Sequence, residues 1–393
     1  MTLLETVIQA SATHDRSSFH SEYPVELNVN DSLSKLYPKL DKAVSSSLAT
    51  PLIGWEISST SSQKIEVGKK FCAKLNRRLK DTKGFKRDEF LVMLRSFLES
   101  YSQKFGIFHG DDASPDAVPA MIQRVAPAAG RDVVGMILEA CIQLEVKDLM
   151  ELLIVNDIVD HSHYPMLLRS VVPMRTPRLV CLAVKHAPDF FQTELLSLLK
   201  YFLSPTKEAY LGMLDVLKEW ESQAQLAIDK VRNTKGNGNK ANAAKDASIL
   251  LMVAYDGFSR NELCLHCLIA SPNVDDAILS SCIRGLNGKE LLNLIRYLKK
   301  WLKKYERFPQ AVACPGAASA VGVAFCEWVP KVEDIVRWLG VVVDESFTSI
   351  VLQSEFHEEL KDMKMVVDSM VSEAKDCCFI SNVIEGLKAR RKE

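Results

Sequence analysis

The 393 residues prescribe an all-α fold: an irregular helical-repeat array, or α-solenoid, that ends in one long C-terminal helix. Glycine and proline are scarce, with 17 and 15 in the whole chain, too few for the many tight turns of a strand-rich fold. From about residue 63 onward apolar side chains recur at intervals of three and four rather than two, which marks one face of a helix. With 47% of its residues hydrophobic, the chain can fill a sizeable core.

Taken in order, residues 1–62 are rich in Ser, Thr and Asn, as in Ser58-Ser59-Thr60-Ser61-Ser62, and read as largely disordered. One short helix is expected there over 38–48, with Pro38 in its first turn. A first helical-repeat half spans 63–232. Val67, Phe71, Leu75 and Leu79 make its first stripe, and Phe90, Met93, Leu94, Phe97, Leu98 and Tyr101 the second, with Gly84 between them. Further helices are expected over 130–143, 146–156, 176–186, 190–203 and 205–232, the last opened by Ser204 as a cap and Pro205 in the first turn. Residues 233–246, with Lys235-Gly236-Asn237-Gly238-Asn239-Lys240, read as a flexible basic loop that divides the body.

The C-terminal half, 247–393, is expected to hold helices over 243–256, 259–270, 274–284, 287–307 and 331–345, then a terminal helix over 354–389. Ser259 with Glu262, and Asn287 with Glu290, have the spacing of reciprocal capping pairs. Leu294, Leu298, Trp301, Trp338 and Leu339 are the expected core. In the terminal helix Phe356, Leu360, Met363, Val366, Val367, Met370 and Val371 form a seam that docks on its own chain or into another. Cys141-Ile142 before Asp148–Leu153 is echoed by Cys282-Ile283 before Glu290–Ile295, either as true repetition or as chance similarity of two amphipathic hairpins.

Charge is balanced, 49 Lys and Arg against 50 Asp and Glu, so any attraction to nucleic acid or membrane must be local. Ten cysteines lie mostly in apolar runs, which suits a reducing compartment. No basic leader with a long apolar stretch opens the chain, and no window approaches the ~18 apolar residues of a bilayer span, so a soluble intracellular protein is expected.

Cys264-Leu265-His266-Cys267 has the spacing of half a zinc site, but a closed tetrahedral site needs two further ligands, and the same residues fit a buried helix stripe. His161-Ser162-His163, near Asp157 and Asp160 and just before Pro165, fits a polar connection between helices as well as it fits a reactive cluster. Glycine-rich phosphate loops, Gly-x-Ser-x-Gly and His-Glu-x-x-His are missing from the sequence. No catalytic, cofactor-binding or metal-binding residue is assigned, and no enzyme activity is expected.

Two basic ridges are the candidate binding surfaces. Between Lys64 and Arg87 there are ten basic residues against two acids, and Lys70, Lys74 and Arg77 fall beside the Phe71, Leu75, Leu79 stripe. Lys299, Lys300, Lys303, Lys304 and Arg307 decorate the helix that carries Trp301. Of these, Lys70, Lys74, Arg77, Lys300 and Lys304 are the candidate contacts to RNA phosphates or an acidic partner, the alternative being an ordinary solvated face. Lys388, Arg390, Arg391 and Lys392 suit a short nuclear-import signal or a basic end that complements a helix dipole.

One family resemblance rests on packing residues. Tyr297-Leu298-Lys299-Lys300-Trp301-Leu302 ends one helix, Arg337-Trp338-Leu339 lies in the next, and Asp344-Glu345-Ser346-Phe347-Thr348 follows. This order resembles the carboxy-terminal helical region of nucleolar protein eleven and its fungal counterpart. The resemblance covers the last third of the chain, and the preceding hairpins loosely. It implies a non-enzymatic nucleolar scaffold of the small-subunit processome that supports ribosomal DNA transcription and pre-18S rRNA processing. Its implied partners are other nucleolar processome proteins, with pre-ribosomal RNA reached through the basic ridges, and no membrane or small-molecule substrate. Full-length members resemble a β-propeller followed by helices; no series of short strands precedes the helices here, so no propeller contact carries over and a partial or variant product is the expectation. A cytosolic helical-repeat adaptor in trafficking or transport is the competing reading.

Overall fold

A computed structural model describes residues 59–81, 84–107, 117–233, 239–311 and 322–390. Of these residues 83% are helical, in fifteen α-helices with no strand among them. In chain order the helices are α1 (Ser59–Leu79), α2 (Arg87–Phe105), α3 (Ala117–Ala129), α4 (Arg131–Gln143), α5 (Lys147–Val155), α6 (Tyr164–Val171), α7 (Pro177–His186), α8 (Gln192–Leu203), α9 (Lys207–Asn233), α10 (Asn239–Tyr255), α11 (Arg260–Ile269), α12 (Asp276–Arg284), α13 (Gly288–Arg307), α14 (Val332–Leu352) and α15 (Ser354–Arg390). Short 3-10 turns, His161–His163 and Ala324–Trp328, precede α6 and α14.

The packing follows from helices that each carry an apolar stripe and alternate between two rows. One row runs α3, α5, α7, α9, α11, and the other α4, α6, α8, α12, α14, with each helix packed on the next of its row. The first row meets the second along pairs such as α4–α5, α6–α7 and α8–α11. Trp220, Trp301, Trp338, Tyr101, Tyr297, Phe90, Phe202 and Phe356 are the largest fully buried side chains. Burying each contributes on the order of 1.5–3 kcal/mol or more. Leu294 and Leu298 are likewise buried, and Leu339 is partly so.

Side-chain amides fasten successive helices at their ends. The last turn of α8 leaves carbonyls without intrahelical donors, and Asn261 of α11 and Asn293 of α13 donate to Phe202 O and Leu203 O, each at 3.0 Å. Asn273 donates to Ala187 O at the end of α7, at 2.8 Å. Gly135 lets α4 pass under the turn before α6, since a Cβ there would stand 2.1 Å from His163 Nε2.

Several sequence expectations change. The expected loop over 233–246 is largely helix, because Ala244 and Ala247 bury their methyl groups and α10 packs along α9; only 234–238 lie outside the described residues. The two arms are one hairpin rather than a divider, and the described residues from Ser59 onward belong to one compact unit. The expected disorder of 1–62 and the helix over 38–48 fall outside the described residues, except that α1 already begins at Ser59. Ser204 ends α8 instead of capping α9; Thr206 takes that role, with its Oγ1 accepting from Ala209 N at 3.3 Å. The Asn287–Glu290 box forms both reciprocal bonds at 2.9 Å. At Ser259 the bond from its N–H to Glu262 Oε2 forms, at 2.7 Å. The echo of the α4–α5 hairpin does not recur as packing, because α12 lies mainly on α8 and α14 and α13 on α14 and α15. Two helices escaped the periodicity, α3 with Pro127 in its interior and α6, whose Pro165 sits in the first turn where no N–H is needed.

Candidate partner interface

Helix α1 packs on α3 and α4, where Gly68 brings its backbone close to Val133, and α2 packs on α3. The two helices therefore flank an open groove of about 850 Å³ and meet at its floor, where the rings of Phe71 and Phe97 stack with centroids 4.0 Å apart. Val67, Phe85 and Met93 complete the apolar floor, and Val92 stands 69% exposed on the α2 side. Lys70, Lys74 and Arg78 line the α1 wall, with Asp81 just past its C-terminal end; Asp88 and Glu89 of α2 line the other side. Arg78 lies 6.0 Å over the Phe85 ring, and Lys70 Nζ is 2.7 Å from Glu66. The hydrogen bond from Lys70 holds the Glu66 carboxyl below its ordinary range.

The structure thus leaves Lys70, Lys74 and Arg77 exposed on α1, as the sequence pattern expects. It adds Arg78, Asp81, Asp88 and Glu89 to the groove lining; the sequence count of the ridge includes Arg78 and Asp81 but gives neither a role, and Asp88 and Glu89 lie outside it. Asp88 and Glu89 carried one signal: they occupy the first turn of α2, where the helix dipole favours acids.

The second ridge does not stand free. Lys300 Nζ reaches Glu262 Oε1 and Oε2 at 2.7 and 2.8 Å and lies 5.8 Å over the Phe258 ring. Lys304 Nζ is 2.6 Å from Asp256 Oδ2, and its bond holds that carboxyl below its usual range. Lys299 pairs with Glu359 and, at 3.3 Å, with Asp362 of α15; Arg296 pairs with Glu359 at 2.7 Å and Lys303 with Asp362 at 3.5 Å. These cations are spent within the chain, clasping the α10–α11 turn and α15 to α13. A phosphate or acidic partner reaching Lys300 or Lys304 would have to displace a carboxylate already at hydrogen-bond distance, as one reaching Lys70 would have to displace Glu66.

The histidine and cysteine motifs are absorbed by packing. Cys264 and Cys267 are buried on α11, with Cys267 Sγ donating to Cys264 O at 2.9 Å, and Cys181 of α7 lies alongside. Burial raises the Cys267 thiol well above its ordinary pKa. His266 is fully buried, its Nε2 3.1 Å from Ala254 O and its Nδ1 2.8 Å from the Tyr297 hydroxyl. A carbonyl only accepts, so Nε2 carries the proton and Nδ1 accepts from Tyr297 O–H. At the 3-10 turn Asp160 accepts from Ser162 N at 3.0 Å and Ser162 Oγ at 2.6 Å, which builds the polar connection before α6.

Among the described residues, no helix is long and apolar enough to cross a membrane. Compared with known proteins, the chain matches no family model and no curated protein.

Proposed function

We propose that the chain is a non-enzymatic scaffold of nucleolar small-subunit processome assembly, supporting ribosomal DNA transcription and pre-18S rRNA processing, and that it holds a partner protein in the α1–α2 groove. The resemblance in the α13–α14 region supplies the setting. The groove supplies the carrying observation: an apolar floor of stacked Phe71 and Phe97 between a basic wall and an acidic wall. A surface that tracks phosphates has no use for Asp88 and Glu89 across from its lysines, because they repel the same backbone. An amphipathic helix suits all three parts, with its apolar stripe on the floor and opposite charges along its two edges.

The test is affinity purification of the tagged chain from nuclear extract, with and without ribonuclease, beside a Lys74→Glu, Arg78→Glu, Val92→Asp variant. The expected result is recovery of processome proteins that survives ribonuclease and is lost in the variant. Recovery abolished by ribonuclease would move the surface to RNA. A vesicular or diffuse location with no pre-rRNA defect on depletion would favour the trafficking adaptor and reject the proposal.

A further inference from the structure

Helix α15 divides into two parts. In the first, Phe356, Met363 and Val366 are buried and Leu360, Val367 and Met370 half-buried against the body, mainly on α13 and α14. In the second, every described side chain from Val371 to Glu385 is exposed, as are Leu387 and Lys388. Some eighteen residues of helix, about 27 Å, thus run beyond the surface that supports the first part.

The seam does not stop where the support does. Met363, Val366 and Met370 stand at alternating steps of three and four, the spacing that keeps an apolar line facing a partner helix. The same alternation continues through Glu373 to Cys377, Ile380, Ile384 and Leu387 without a change of phase. Ile380 is 56% and Leu387 61% exposed, and Val383 beside them is exposed too. A helix of this length is marginal in water without a partner for its apolar face.

We propose that this face pairs with the same segment of a second copy of the chain, antiparallel, as a short two-stranded coiled coil. Three features select that occupant. The line is continuous with the one already docked on α13, so it is built for a helix. In an antiparallel pair centred near Asn382, Ile380 of each copy meets Ile384 of the other, and Cys377 meets Leu387, so the four seam positions close on themselves by a two-fold axis. The charges also oppose: Glu373 and Asp376 lie toward the body, Lys388 toward the end, and the sequence continues Arg390-Arg391-Lys392. A parallel pair would set Glu373, a seam residue, against itself; Lys375 and Glu385 fall on outer positions in either case.

The experiment is sedimentation or light scattering of the full chain under reducing conditions, over a concentration series that reaches about ten times a micromolar Kd. Wild type should approach twice the mass of one chain, and Ile380→Asp, Ile384→Asp should weaken association by at least about a hundred-fold, which is about 2.8 kcal/mol. Both positions are exposed in the single chain, so the variant should keep a cooperative melt of the folded body, losing only the helical signal and the concentration-dependent stabilisation that pairing of this segment supplies. Orientation is read in a Cys378→Ser background with oxidised glutathione. Leu387→Cys should join Cys377 of the other copy in high yield, whereas Cys377 alone should not cross-link. A monomeric wild type, a dimer that survives the double substitution, or ready cross-linking through Cys377 alone would each overturn the proposal.

Discussion

Acidification from about pH 7 to about pH 5 should weaken the folded body by about 2 kcal/mol through a single side chain, His266. Its ring is fully buried, edge-on to Phe258 and Trp220 at 4.7 and 5.4 Å and 4.9 Å from Trp301. Burial dominates and pushes its pKa down from 6.5 to about 3, with the Ala254 carbonyl pulling weakly the other way. Protonation would also turn Nδ1 into a donor facing the Tyr297 hydroxyl, which then has to give up its own bond. The unfolded chain takes up a proton below about pH 6.5 while the native ring stays neutral to about 3, so stability is full above that window and falls with pH inside it, by about 1.4 kcal/mol per unit. At about pH 5 roughly a unit and a half of the window has been crossed, hence about 2 kcal/mol. Urea unfolding at the two pH values, for wild type and His266→Gln, isolates the group. Carboxylates titrate alike in both proteins, so the difference between the two slopes belongs to the histidine. An identical pH dependence in the variant, or an imidazole resonance that titrates near its ordinary value in the native protein, would refute the reasoning.

The other expectations concern packing and charge. Gly135→Ala should cost about 1–3 kcal/mol by driving a methyl into the His163 ring, and His163→Ala should restore much of it in thermal melts. Trp338→Ala should cost about 3–5 kcal/mol in urea unfolding, since the whole indole is buried beneath α14. Lys299→Met should cost about 1–3 kcal/mol, because it leaves Glu359, only 14% exposed, with Arg296 alone. Lys74→Glu should move stability by no more than about 0.5 kcal/mol while impairing partner recovery; an equal loss of stability from both lysine variants would erase the distinction between the two ridges.

The order of helices was legible because a stripe at three- and four-residue spacing is a local property. Phe71, Leu75, Leu79, Leu294, Leu298 and Trp301 all bury as that spacing requires. Asn287 and Glu290 announce the start of α13 within four residues of each other. The misses are tertiary. Residues 239–246 look like part of a polar loop until α9 covers Ala244 and Ala247, and α3, with Pro127 in its interior, is not assigned from the sequence. The candidate site was legible by half for the same reason: periodicity places Lys70 and Lys300 on polar faces, but Glu262, which pairs with Lys300, and Asp88 and Glu89, which share the groove with Lys70, come from other helices.

That difference decides how the two basic helices respond to salt and to substitution. On α13 the cations meet acids on three other stretches of chain, and Glu359 shows the balance: burial raises its pKa, yet the hydrogen bonds from Lys299 and Arg296 outweigh burial and leave it lowered. A pair shielded in this way is screened less than one in open solvent, so moderate salt should leave α15 docked. On α1 the cations face an open groove, and their contribution to partner binding should decline as salt rises. If association through the groove held constant across the same salt range, the apolar floor of Phe71 and Phe97 would be carrying the binding alone, and the charged walls would set only the orientation of the partner.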